Sequence, residues 1–137
     1  KLGSSFSIGS HGSTFGGNHL AMTAALETIK MIDDLQFLES VKSKGNYLLE
    51  HLIDLKTQFT EIVEVRGKGL MIGIEFNGPV ENIVNQLLEN GLIVGTAGTN
   101  VLRLLPPLNV SFEELDEAIL KMKKVITNYF ISAEVKK

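Results

Sequence analysis

The stretch Glu61-Ile62-Val63-Glu64-Val65-Arg66-Gly67-Lys68-Gly69-Leu70-Met71-Ile72-Gly73-Ile74-Glu75-Phe76 decides the fold class. From Glu61 the pattern has period two. Ile62, Glu64 and Arg66 fall on one side and Val63 and Val65 on the other, the alternation of a strand. Gly67-Lys68-Gly69 reads as a turn, and Leu70 to Phe76 as a second, more buried strand. Two such runs around a glycine-containing turn predict a β-hairpin.

Upstream of the hairpin the period changes to that of helices. Asn18 is placed to cap a first helix. Its apolar face is Ala21, Ala25, Ile29 and Ile32, widened by Leu20, Ala24 and Leu26, so it is expected to be buried on more than one side. Asp33 with Gln36 resembles a capping box that starts a second helix. Leu38, Val41, Gly45, Leu48, Leu52, Leu55 and Phe59 then form a seam at alternating steps of three and four, running to about residue 58. Gly45 lies on that seam, where a missing side chain lets another backbone come close.

Downstream, Asn77-Gly78-Pro79 ends the hairpin, and Pro79 suits the first turn of a helix. Val80, Ile83, Val84 and Leu87 line that helix and Gly91 closes it. Leu92 to Gly95 reads as a short strand, Thr96 to Asn100 as a polar loop, and Val101 to Leu105 as a strand stopped by Pro106-Pro107. Ser111 with Glu114 forms a capping box, and Val110 with Leu115 a hydrophobic staple. The last helix is expected to bury Leu115, Ala118, Ile119, Met122, Val125 and Ile126, with a frayed tail from Ser132. This order predicts an α+β layer, with helices on one face of a small, largely antiparallel sheet.

Composition bounds the function. The chain has 137 residues, 44% of them apolar, a net charge of −3 and no cysteine. One domain with a real core is expected. Disulfides, thiol catalysis and thiolate metal sites are excluded, and no lysine or arginine cluster is present to neutralise nucleic-acid phosphates. No apolar run has the ~20 residues of a membrane span. The absence of cysteine suits a reducing, cytoplasmic setting.

Two groups of residues can carry chemistry. Residues 1–18 are rich in glycine and serine and end in His11-Gly12-Ser13-Thr14-Phe15-Gly16-Gly17-Asn18 at a helix start. Glycine backbone, hydroxyls and a helix N-terminus suit an anion such as phosphate, while the same composition also describes a flexible linker. Arg103 stands between Leu102 and Leu104. Its planar fork matches a carboxylate; an arginine on the solvent face of an edge strand is the plainer alternative. Arg66 is expected to tie the hairpin to a neighbouring carboxylate or carbonyl. His11, His19 and His51 lack metal-ligand spacing, with His51 expected on the helix surface, and Glu113, Glu114 and Glu117 read as helix N-terminal charges.

Three ordered motifs carry a resemblance. They are the His11 to Asn18 segment followed by Leu20-Ala21; Val65-Arg66-Gly67-Lys68-Gly69-Leu70-Met71-Ile72-Gly73; and Leu102-Arg103-Leu104-Leu105-Pro106-Pro107-Leu108. Together they resemble the C-terminal part of the class III pyridoxal-phosphate aminotransferases, and most of all the branch acting on acetylornithine and related ω-amino acids. The resemblance implies that residues 1–18 are an extended segment from the end of a large domain. Residues 19–137 are then the C-terminal small domain of a fold-type I transferase, with its connecting helix.

The resemblance also implies pyridoxal 5'-phosphate as cofactor, a homodimer, and an amino acid and a keto acid as substrates. The reaction would move an amino group between N-acetylornithine, or a related ω-amino acid, and 2-oxoglutarate in arginine metabolism. Thr14 corresponds to the threonine that reaches the cofactor phosphate across the dimer, Ser13 to a substrate contact, and Arg103 to the arginine that binds the α-carboxylate. The family's Schiff-base lysine lies well upstream of the histidine matched by His11, so no lysine here corresponds to it, and the chain alone is expected to be inactive. His19 stands where the family has proline. On the residues alone, a free-standing α+β domain that binds or senses a small metabolite is the other reading.

Overall fold

The computed structural model describes residues 7–134, with side chains through residue 131. The chain forms two compact units, residues 1–38 and residues 39–137. Within the described residues the order is α1 (His19–Ile32), α2 (Leu35–Gln58), β1 (Ile62–Lys68), β2 (Met71–Phe76), α3 (Glu81–Glu89), β3 (Gly95–Ala97), β4 (Val101–Leu104) and α4 (Phe112–Glu134). Among the described residues no helix is long and apolar enough to cross a membrane. The expected fraying from Ser132 falls largely outside what is described: backbone alone is described from 132 to 134, in α4, and nothing beyond.

In the first unit, Asn18 caps α1 as its position implies, its Oδ1 accepting from the Ala21 amide at 3.0 Å. The expected burial is not met, because no side chain of α1 is buried. Leu20, Leu26, Ile29 and Met31 are all exposed. Periodicity identifies a face that favours cover, not which part of a protein supplies it. The cap of α2 is also one residue later than expected: Asp34, not Asp33, accepts from the Phe37 amide, at 2.7 Å. The first helical residue is therefore Leu35.

In the second unit, β1, β2, β4 and β3 lie side by side in that order, and every neighbouring pair is antiparallel. One face carries the core: Leu48, Leu52 and Leu55 of α2, Ile72, Ile74 and Phe76 of β2, Leu102 and Leu104 of β4, and Ile83, Leu87, Leu115, Met122 and Ile126 of α3 and α4. Helices therefore cover one face of an antiparallel sheet. Each fully buried Leu, Ile or Phe contributes roughly 1.5–3 kcal/mol. Ser111 and Glu114 form the capping box of α4, the Ser111 amide donating to the Glu114 carboxylate at 2.7 Å and the Glu114 amide to the Ser111 hydroxyl at 3.1 Å.

Three local readings shift. A β-bulge between Ile62 and Glu64 inserts an extra residue into β1 and changes its phase. Ile62 and Val65 consequently join the core side, and Glu64 and Arg66 take the opposite face instead of sharing one with Ile62. The hairpin turn also falls later: β1 runs to Lys68, and Gly69, at φ +56°, turns the chain into Leu70, which is buried. Finally, Leu92 and Val94 pack against the core without strand pairing, and β3 occupies Gly95–Ala97, meeting the expected strand only at Gly95 and running into the stretch expected to be loop. Gly98, at φ +65°, makes the tight return to β4.

The seam of α2 meets the hairpin at Gly45. A Cβ there would lie 2.5 Å from both the carbonyl carbon and the carbonyl oxygen of Gly69. Two backbones thus touch directly, as the glycine on the seam implies. Neither atom is a movable side chain, so an added methyl must displace helix or turn. Gly45→Ala should destabilise the fold by about 1–3 kcal/mol, although alanine alone favours a helix by about 1 kcal/mol. Gly78→Ala, with open space around it, should stay within about 0.5 kcal/mol. Denaturant unfolding of both variants checks the pair.

Candidate functional site: the open face of the sheet

The face of the sheet away from the helices is built by register. Arg66 of β1 pairs with Gly73 of β2, Gly73 with Arg103 of β4, and Arg103 with Gly95 of β3. One row thus reads Arg66, Gly73, Arg103, Gly95. The adjacent row is Glu64, Glu75, Val101 and Ala97. Paired residues point to the same side of a sheet, so both arginines and both carboxylates share this face. Arg66, Gly67, Lys68, Met71, Gly73, Ala97, Val101 and Arg103 line a shallow depression of about 290 Å³ on it.

Arg66 ties the hairpin to carboxylates, as its place beside the turn implies. Its Nη1 donates to Glu64 Oε2 at 2.7 Å and to Glu75 Oε2 at 2.6 Å. The hydrogen bond to Glu75, then the charge of Glu64, raise the guanidinium pKa above its ordinary value. Asn100 donates to Glu75 Oε1 at 3.4 Å and to the Phe76 carbonyl at 3.2 Å.

Arg103 is exposed, on the solvent face as the plainer reading held, but β4 is an inner strand rather than an edge. Among the described residues it makes no ion pair. Its cross-strand partners on both flanks are glycines, Gly73 and Gly95. Its guanidinium lies over Gly95, where a Cβ would come 3.3 Å from Nη2 and 3.4 Å from Nε. Gly73, Gly95, Glu75 and Asn100 escaped the sequence reading. Two glycines directly opposite an arginine would have been the available signal, but it appears only once strand register is known.

Ser13 and Thr14 belong to the first unit. The Ser13 hydroxyl accepts from the Gly16 amide at 2.9 Å, and Asn18 donates to the Phe15 carbonyl at 2.7 Å. These two contacts fold the segment into a short turn before α1. Thr14 is exposed, and its hydroxyl makes no hydrogen bond among the described residues. His51 is partly buried rather than on the surface: its Nδ1 meets the Tyr47 carbonyl at 2.8 Å and its ring lies 4.3 Å from that of Tyr47. Among the described residues no group of three or more His, Cys, Asp or Glu is placed to hold a metal.

The family model for aminotransferase class-III matches residues 1–126. The chain belongs to the class-III aminotransferases. It is 48% identical over 132 residues to acetylornithine aminotransferase of Bacillus anthracis, covering 96% of this chain and 34% of that protein. Against the Bacillus subtilis acetylornithine aminotransferase it is 47% identical over 130 residues, 94% of this chain and 33% of that one. The crystal structure of acetylornithine aminotransferase from Elizabethkingia anophelis superposes with a TM-score of 0.78 at 32% identity, over 93% of this chain and 34% of that one. The ornithine aminotransferase of Toxoplasma gondii, solved with partial occupancy of PLP at its active site, gives 0.81 at 29% identity, over 99% of this chain and 32% of that one. The chain spans about a third of the length of these class-III relatives, and pyridoxal phosphate is the cofactor of the family.

The placement of Arg103 over Gly95 has a direct consequence. A methyl added at Gly95 meets only the far end of a flexible side chain. Gly95→Ala should therefore move the guanidinium while changing unfolding free energy by no more than about 0.5 kcal/mol. Denaturant unfolding with a crystal structure of the variant checks both parts; a loss as large as that of Gly45→Ala contradicts the placement.

Proposed function

We propose that this chain is the C-terminal small domain, with its connecting segment, of a pyridoxal-phosphate transaminase. The enzyme moves an amino group between N-acetylornithine, or a related ω-amino acid, and 2-oxoglutarate. Residues 1–18 belong to the end of its large domain and residues 19–137 to the small domain. The observation that carries the reading is Arg103, exposed between two glycines and without an ion pair among the described residues, in a chain of this family.

The donor set present suits the cofactor. Thr14 offers an exposed hydroxyl beside Gly16 and Gly17 at the start of α1, a chemistry fitted to a phosphate oxygen. In this reading Thr14 holds the phosphate of the cofactor in the partner subunit of a cytoplasmic homodimer, and Ser13 touches substrate. When bound, pyridoxal phosphate supplies the electron sink for the chemistry at the amino-bearing carbon. Arg103 meets the planar carboxylate of the amino or keto acid with two parallel hydrogen bonds and so fixes its orientation. No lysine in the chain is assigned the covalent role, and the chain alone is inactive.

Lysine keeps charge but replaces a rigid fork by a point charge on a flexible stem. Charged hydrogen bonds contribute about 1.5–3 kcal/mol each. Arg103→Lys in the full-length enzyme should lower kcat/KM for amino donor and keto acid about ten- to several-hundred-fold, leaving cofactor affinity nearly untouched. Thr14→Ala should weaken cofactor binding first. Cofactor titration and half-reaction kinetics of both variants test this. Loss of cofactor by Arg103→Lys, with normal kcat/KM once saturated, overturns the role of Arg103 and leaves it a structural brace.

A further inference from the structure

We draw no further inference here: the strongest candidate, the apolar groove that Leu48, Leu105, Pro106, Pro107, Leu115 and Met122 line between α2, α4 and the β4–α4 connection, carries nothing because nothing in the structure shows what covers it.

Discussion

Helix α2 lies directly against the backbone of Gly69 because residue 45 has no side chain. That contact fixes the helix on the hairpin turn, and the hairpin in turn fixes the sheet. The leucines that follow Gly45 along the same seam then reach the core face of β2 and β4. With the helices committed to one side, the other face carries Arg66, Arg103, Glu64 and Glu75 together with Gly73, Gly95, Ala97 and Val101.

The arrangement of side chains on that face follows from register. The bulge after Ile62 brings Glu64 and Arg66 onto it; without the bulge the alternation would direct them toward the core. Antiparallel pairing aligns Arg66 and Arg103 in one row with glycine between them and beyond. The two arginines have the same chemistry and different surroundings. Arg66 is paired with two carboxylates through Nη1, whereas the Arg103 guanidinium lies over a glycine. What separates them is their neighbours, not the guanidinium itself.

Much of this was legible in the sequence, and for identifiable reasons. The hairpin, the seam through Gly45 and the capping box of Ser111 with Glu114 are local patterns whose physics acts over a few residues. Arg103 stood out in the sequence because a guanidinium is unusual in an apolar strand, and its exposure on the solvent face agrees with the plainer reading of that pattern. What escaped depends on pairing at a distance. The bulge cannot be seen from alternation alone, because Val63 is as apolar as Val65. Gly95 reads as part of a strand or loop until its position opposite Arg103 is known. Glu75 reads as one more strand residue until Arg66 is seen to hold it. For α1 the limit is of a different kind: periodicity reports a demand for cover and does not name its source.

The most direct measurement is a crystal structure of the full-length holoenzyme with a bound dicarboxylate such as glutarate, a non-reacting analogue of 2-oxoglutarate. The account predicts one ligand carboxylate in two-point contact with the Arg103 guanidinium, with Arg66 still bridging Glu64 and Glu75. A ligand carboxylate held elsewhere, with Arg103 paired to Glu75, would contradict it.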